Sequence, residues 1–147
     1  MRPTAAIAGL LLFTLSASTS AQEHSVTRTP APADAYAYII SPADGEHVTS
    51  PFKVVFGLHG MGVAPAGVKA ANTGHFHLLI DVAILPPASQ PLPATEHIRH
   101  YGAGQTETML DLPPGPHTLQ LVLADALHVQ HDPPVRSAKI TVIVNRK

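Results

Sequence analysis

The sequence contains no cysteine and no tryptophan, and each absence narrows what the protein can be. Without cysteine the chain has neither a disulfide framework nor a thiolate metal site, so a hydrophobic core must hold it together. With no tryptophan and only three tyrosines, the exposed aromatic platform of carbohydrate-binding sandwiches has little support. At 147 residues the chain has room for one domain with a core of its own.

The chain is also poor in charge, since charged residues make up 13% of it, with nine basic and ten acidic side chains. No basic block exists of the kind that a nucleic-acid surface needs, so nucleic acid is excluded as an expected partner. Histidine is abundant by comparison, because the ten histidines equal the acidic residues in number. The chemistry of the protein is therefore sought among the histidines.

The N-terminal stretch has the layout of a secretory signal peptide. In "MRPTAAIAGLLLFTLSASTSAQ", Arg2 precedes an apolar run too short to span a bilayer, and small residues follow up to Ala21. We predict a signal peptide over residues 1–21, which leaves 126 residues with eight basic and ten acidic side chains. No second long apolar run follows, so the mature protein is expected to be periplasmic or secreted, with no transmembrane segment.

Residues 22–35 mix proline, alanine, threonine and serine without periodicity, which predicts a flexible leader before a domain at residues 36–147. In that domain, alternating or apolar runs bounded by turn residues predict strands and no capped helix. The expected strands begin at Tyr36 and cover residues 52–58, 75–83, 105–112, 117–124 and 138–145. This pattern favours an all-β fold, an immunoglobulin-like antiparallel β-sandwich, with a jelly roll as the main alternative.

The stretch "GHFHLLID" places His75 and His77 two residues apart in the third predicted strand. Alternation puts Phe76 on the core side and both histidines on the other side, with Cβ atoms about 6.5 to 7 Å apart. Such a pair is able to converge on one metal ion, and it is equally compatible with a polar, solvent-facing surface.

Two further pairs lie in the two long predicted connections, residues 84–104 and 125–137. "EHIRHYG" offers His97 and His100, and "HVQHDPP" offers His128 and His131, each pair spaced so that a turn brings both rings to one side. Imidazole and carboxylate donors without thiolate suit copper, zinc, nickel or iron. The predicted metal ligands are His75, His77, His100, His128, His131 and Asp132.

Other polar residues are predicted to orient these ligands rather than to bind the ion. His117 shares strand parity with the inward leucines that follow it, so we expect its ring to be tucked under the sheet with a structural role. The expected orienting residues are Asp81, His97, Glu107, His117 and Asp125.

Four blocks of the sequence, in order, carry a family resemblance: "GHFHLLID", "HYGAGQTE", "LPPGPHTLQLVLAD" and "HVQHDPPV". Together they cover about residues 70–144 and resemble the bacterial domain of unknown function 4399 family. The resemblance implies an exported, strand-rich domain with the same histidine-bearing blocks, and it implies no activity. The residues that fall in these blocks are His75, His77, Asp81, His100, Gln105, Glu107, His117, Asp125, His128, His131 and Asp132.

Enzymatic interpretations have less support. A cupin dioxygenase is unlike this chain because Asp81 stands where a glutamate is usual and the glycine framework is missing. No "G-x-S-x-G" elbow is present, so nucleophilic catalysis has no basis, and a metal-dependent hydrolase would depend on Glu107 as its base.

The sequence favours a periplasmic protein that binds, buffers or delivers copper or zinc. The alternative is an interaction module for a protein partner in the cell envelope, in which the histidines form a structural hydrogen-bond network.

Overall fold

A computed structural model describes residues 27–146 of the protein. The predicted signal peptide and residues 22–26 of the predicted leader lie outside this range. Across the described range, the structure has no helix with the length and apolar character that a membrane crossing requires.

The described residues form nine strands and no helix, which confirms the all-β prediction. The strands are β1 (Tyr36–Ser41), β2 (His47–Val48), β3 (Phe52–His59), β4 (Gly62–Val63), β5 (Thr73–Ile80), β6 (Ile98–Tyr101), β7 (Glu107–Leu110), β8 (Gly115–Ala124) and β9 (Ile140–Val144).

The strands make two sheets, whose longer pairings are antiparallel. One sheet has three strands in the order β1-β3-β7, and the other has six, in which β2, β9, β8 and β5 are consecutive neighbours. Along the free side of β5 lie two short strands, β4 beside its first residues and β6 beside its later ones. Strand β5 is therefore interior to its sheet, with hydrogen-bonded neighbours on both sides.

The main core lies between the two sheets. Phe56 of the smaller sheet packs edge-on against Phe76 of β5 and Tyr101 of β6, with ring centroids 5.2 and 5.1 Å apart. Strand β8 contributes the three leucines at alternate positions 119, 121 and 123, all fully buried. Alternation along β5 and β8 thus places one side chain of every two into this core, as the sequence pattern predicts.

The opposite face of the six-stranded sheet is also covered. Leu79 of β5 and Val122 of β8 belong to a second, smaller apolar cluster with Leu92 and Ile98. Leu92 belongs to the connection between β5 and β6, which lies across this outer face. Because both faces of β5 are covered, a polar residue on its outer side is removed from water unless it lies at the edge of that cover.

Six of the nine strands correspond to predicted ones, and the sequence missed the other three. Strands β2, β4 and β6 have two, two and four residues, which is too short for alternation to identify. Strand β5 begins two residues earlier than predicted and ends at Ile80, because the next residue, Asp81, has a backbone φ of 58° that turns the chain. The missed strand β6 has the greatest consequence for the site.

The structure also shows contacts within the segment that the sequence assigns to the leader. The amide of Ala31 donates to the carbonyl of Asp132 at 2.9 Å, and the amide of Asp132 donates to the carbonyl of Thr29 at 2.9 Å. The guanidinium of Arg28 donates to the carbonyls of Gln130 and His131 and pairs with the Asp132 carboxylate. Residues 28–31 are therefore attached to the domain ahead of β1.

Candidate metal centre

Two histidines point outward from β5 and are nevertheless fully buried. His75 and His77 have no exposed surface, and their ring centroids are 4.9 Å apart. His75 stands opposite Ala124 of β8, and the small side chain there leaves space for an imidazole. The predicted strand face is thus confirmed by the position of the rings, whereas the solvent-facing alternative is excluded by their burial.

Strand β6 brings the third histidine to the same face. His100 is the direct antiparallel partner of His77, and directly opposed side chains project to one side of a sheet. Its ring lies over Gly102, where a Cβ atom would come 2.3 Å from Cε1 of the imidazole. A side chain at Gly102 would therefore displace this ring. His100 itself is exposed, so the group of rings opens to solvent here.

The fourth histidine comes from the loop after β8. His128 has a left-handed backbone conformation with φ of 67°, which non-glycine residues adopt uncommonly. The turn is held by Asp125, whose Oδ1 accepts the amides of Leu127 and Val129 at 2.9 and 3.0 Å. The carbonyl of His128 accepts the amide of Leu92 at 2.8 Å. The two long connections therefore meet beside the histidine strand.

Together these side chains form the four-histidine cluster, which consists of His75, His77, His100 and His128. All six distances between their ring centroids fall between 4.8 and 5.8 Å. The Nε2 atoms of His100 and His128 are 3.2 Å apart. One nitrogen from each of His75, His100 and His128 lies within 4.8 Å of the others, a spacing compatible with one metal ion.

The buried rings of the cluster have nothing to bond. Both nitrogens of His75 and both nitrogens of His77 are buried without a hydrogen-bond partner. Burying a polar group without a hydrogen bond costs about 1 to 3 kcal/mol, and native proteins rarely leave one unpaired. A ligand between the imidazoles that bonded one nitrogen of each ring would satisfy two of these four atoms.

The surroundings keep these imidazoles neutral. Burial, with the neighbouring histidines adding to it, lowers the pKa of His75 to about 4 and the pKa of His77 to about 3. Burial and the adjacent His128 also lower the pKa of His100. A neutral imidazole has a free lone pair, which is the form that binds a metal ion. The electrostatics and the geometry thus favour the same ligand chemistry.

The structure separates the two members of each loop pair. His131 is fully buried on the core-facing side of β5, where a Cβ atom at Gly74 would lie 3.0 Å from its Cε1. His97 turns its Nδ1 to the carbonyl of Ile80 at 3.0 Å. Each long connection therefore supplies one ring to the cluster, His100 or His128, and the other ring of each pair is used elsewhere.

The predicted carboxylates are also engaged away from the cluster. Asp132 pairs with Arg28 at 3.1 Å, and Glu107 pairs with Lys53 at 2.9 Å on the outer face of the three-stranded sheet. Asp125 accepts the hydroxyl of Thr29 at 2.6 Å in addition to the two amides of the turn. These hydrogen bonds lower the pKa of Asp125, although its burial acts in the opposite direction. Its contacts give Asp125 a role in shaping the His128 turn.

His117 occupies a different environment. Its Nδ1 donates to Oδ2 of Asp81 at 2.7 Å, and its Nε2 donates to the carbonyl of Pro113 at 2.9 Å, so both ring nitrogens are satisfied. Burial tends to lower the pKa of His117, but the hydrogen bonds and the charge of Asp81 outweigh it and raise the pKa. Oδ1 of Asp81 accepts the amide of Thr118 at 2.8 Å. This pair joins the end of β5 to the start of β8, which is the structural role expected for His117.

Fold and site together define a β-sandwich that carries a cluster of four histidines on the outer face of its larger sheet. The family model described as "Domain of unknown function (DUF4399)" matches residues 54–145. The chain belongs to this family, and the match begins earlier than the four histidine-bearing blocks. No curated protein and no solved structure matches the chain.

Proposed function

We propose that the protein is an exported metal-binding protein that holds copper or zinc in the four-histidine cluster for binding, buffering or delivery. The observation that carries the proposal is that one nitrogen from each of His75, His100 and His128 lies within 4.8 Å of the others, and the nitrogens of the buried His75 have no hydrogen-bond partner. Export is proposed from the signal-peptide pattern of residues 1–21 and places the cluster in the periplasm or outside the cell.

The donor set agrees with this proposal. Imidazole is a good ligand for zinc and copper, and the cluster contains neither the thiolates nor the thioethers that select Cu(I). The buried pair on β5 is fixed by the sheet, whereas His100 and His128 lie toward solvent. An ion is therefore able to reach the exposed His100 and the half-buried His128 from solution, and to contact His75 without rearrangement of the sheet.

The interaction-module alternative has less support from the same residues. It requires the histidines to bond the two long connections into one rigid surface. The connections are joined by backbone contacts, such as the bridge between Pro91 and Val129 and the bond from Leu92 to His128. Among the histidines of the cluster, the contact between the Nε2 atoms of His100 and His128 adds to this joining. His75 and His77 contribute no hydrogen bond from their rings to this joining. A structural role alone leaves their burial unexplained.

The test is a titration of the purified, metal-free protein with Zn(II) and Cu(II), followed by calorimetry and by melting temperature. We expect one ion per chain, and a ligand at 100 times its Kd stabilises the fold by about 2.7 kcal/mol. His100→Ala removes an exposed ligand without opening the core, so it should weaken binding and leave the metal-free melting temperature unchanged.

The matched control is His97→Ala, since His97 is also exposed and lies immediately before β6, outside the cluster. It should bind the ion as the wild type does. Equal binding by both variants, or binding no tighter than that of a loose surface histidine pair, would remove the proposal.

A further inference from the structure

We propose that the ion is bound by three imidazoles, those of His75, His100 and His128, and that its fourth position is open to a small anion from solvent. The inference rests on the proposed function and adds to it a ligand set and the chemical class of a further ligand. The fourth ring of the cluster, that of His77, lies beside this site and does not bind the ion.

The ligand set follows from the positions of the nitrogens. One nitrogen from each of His75, His100 and His128 lies within 4.8 Å of the other two, and the Nε2 atoms of His100 and His128 are 3.2 Å apart. Two ligand nitrogens of a tetrahedral zinc ion are about 3.3 Å apart, since each Zn–N bond is about 2.0 to 2.1 Å long. The outer pair already has this spacing. His75 is held between two neighbouring strands, so binding draws the outer rings toward it, by about 1.5 Å at most.

The side chains around the site leave the fourth position open. Within residues 27–146, no other histidine and no acidic side chain brings an atom into this group of nitrogens, His77 included. The two oxygens of Asp125 are engaged elsewhere, Oδ1 with the amides of Leu127 and Val129 and Oδ2 with the hydroxyl of Thr29. Zinc in proteins is usually four-coordinate, and a site with three protein ligands takes its fourth ligand from solvent.

The fourth ligand enters from the solvent side of the site. His75 is fully buried, His128 is half-buried and His100 is exposed, so exposure increases along the three ligands. The ring of His100 lies over Gly102, and the amide of Ala66 donates to the carbonyl of Gly102 at 2.8 Å. These neighbours of the exposed ligand are thus glycine and alanine, which supply no donor side chain that could fill the fourth position.

The charge of the site favours an anion over a neutral ligand. Three neutral imidazoles leave both positive charges of a divalent ion uncompensated, and a bound cation is then the largest local charge. The charge of Asp125 acts on His75, and this carboxylate supplies one negative charge at most. The site with its ion therefore keeps a net positive charge, which attracts a small anion such as hydroxide, a halide or azide to the open position.

The experiment uses Co(II), which reports its coordination through its visible absorption and takes tetrahedral sites of the zinc type. The metal-free protein is loaded with one equivalent of Co(II), its spectrum is recorded, and azide is then added as the probe anion. We expect the intense visible bands of four-coordinate Co(II), and a shift of these bands that saturates with azide, because azide replaces the solvent ligand.

His75→Leu and His77→Leu are a matched pair of variants, because both histidines are fully buried on the same face of β5. His75→Leu should weaken Co(II) binding by about 100-fold or more, beyond the loss typical of residues that only orient ligands. His77→Leu should keep both the spectrum and its response to azide. The melting temperature of each metal-free variant reports its folding, and His100→Ala repeats the ligand test at an exposed position.

A wild-type spectrum that azide does not change would show a filled coordination sphere and overturn the open position. Loss of the bands or of the azide response in a folded His77→Leu variant would make His77 a ligand and overturn the ligand set. Weak bands of six-coordinate Co(II) would overturn the four-coordinate site, and in all three cases metal binding itself would stand. Failure to bind Co(II), Zn(II) and Cu(II) at all would remove the proposed function together with this inference.

Discussion

Histidines near the two ends of strand β5 have opposite environments. At the first end His75 and His77 have no exposed surface and no hydrogen-bond partner, and burial lowers their pKa values. Past the last residue of the strand, Asp81 holds His117, whose ring nitrogens are both bonded and whose pKa is raised. Where His117 joins two strands of the fold, both of its ring nitrogens are bonded. The adjacent rings of His75 and His77 have four unpartnered nitrogens between them, which distinguishes this end of β5.

The largest expected effect is acid sensitivity of the metal-free protein. In the unfolded chain each histidine binds a proton below about pH 6.5. In the folded chain a buried histidine remains neutral until the pH approaches its lowered pKa, which is about 3 for His77. The contribution of each neutral imidazole to the free energy of unfolding is thus present above about pH 6.5 and lost as the pH falls. The free energy of unfolding decreases by up to about 1.4 kcal/mol per pH unit for each ring.

Denaturant unfolding between about pH 7 and pH 4, with a chelator present, measures this slope. His77→Leu should make it shallower, because leucine binds no proton and fills most of the same space. An unchanged slope in this variant would mean that the two ends of β5 do not differ in the way described.

The second effect concerns the His128 turn. Asparagine adopts left-handed backbone conformations readily, so His128→Asn keeps the φ of 67° while removing the imidazole. We expect metal affinity to fall by about 100-fold or more, beyond the loss typical of residues that only orient ligands. The metal-free stability should change by less than about 1 kcal/mol. Calorimetric titration measures the metal affinity, and chemical denaturation measures the stability of the metal-free protein. A variant with full affinity would exclude His128 as a ligand.

The third effect concerns the hydrogen-bonded pair of Asp81 and His117 just past the end of β5. Asp81→Asn keeps the backbone conformation but removes the charge that supports the protonated His117, which should cost about 1 to 2 kcal/mol near pH 6, allowing for partial exposure of Asp81. Because the folded pKa of His117 is raised, its contribution is complete below the unfolded pKa and is lost as the pH rises through the folded value. The cost should therefore shrink toward alkaline pH in unfolding curves, and metal affinity should be unaffected. A loss of metal affinity would show that the two ends are coupled.

The smallest effect is expected at Gly102. A Cβ atom there would overlap the ring of His100, which is exposed and is able to swing away. Gly102→Ala should therefore leave the melting temperature of the metal-free protein unchanged and weaken metal binding by about 10-fold, as does the loss of an orienting contact. Ala103→Gly provides a neighbouring control for the change in backbone freedom. Unaltered affinity in Gly102→Ala would show that the position of the His100 ring is not restricted by this contact.

The alternation of apolar residues identified the long strands because a period of two is visible over eight residues, as in "TGHFHLLI". It also placed His75 and His77 on one face. It did not show that this face is buried, because the cover comes from the connection that carries Leu92, and a loop has no periodic signal. Burial excludes the interpretation of these histidines as surface groups.

The composition of the cluster could be predicted only in part. The pairing of His77 with His100 depends on the register of a four-residue strand, and no local pattern sets that register. Spacing suggested that both members of each loop pair face the same way, but His131 turns to the core side at Gly74 and His97 to the carbonyl of Ile80. The direction of a side chain in an irregular loop follows from backbone angles, such as the positive φ of His128, that the sequence does not reveal.

The contacts of Arg28 determine where an affinity tag can be placed. They hold the N-terminal part of the described chain beside residues 130–132, in the loop that also carries His128. A polyhistidine tag joined on that side would precede the segment held against this loop, and in a titration it would compete with the proposed site for the ion. The last strand instead pairs its Val144 with Gly115, at the far end of β8 and about 30 Å from Ala124. A C-terminal tag would leave the stoichiometry and affinity of the natural site measurable.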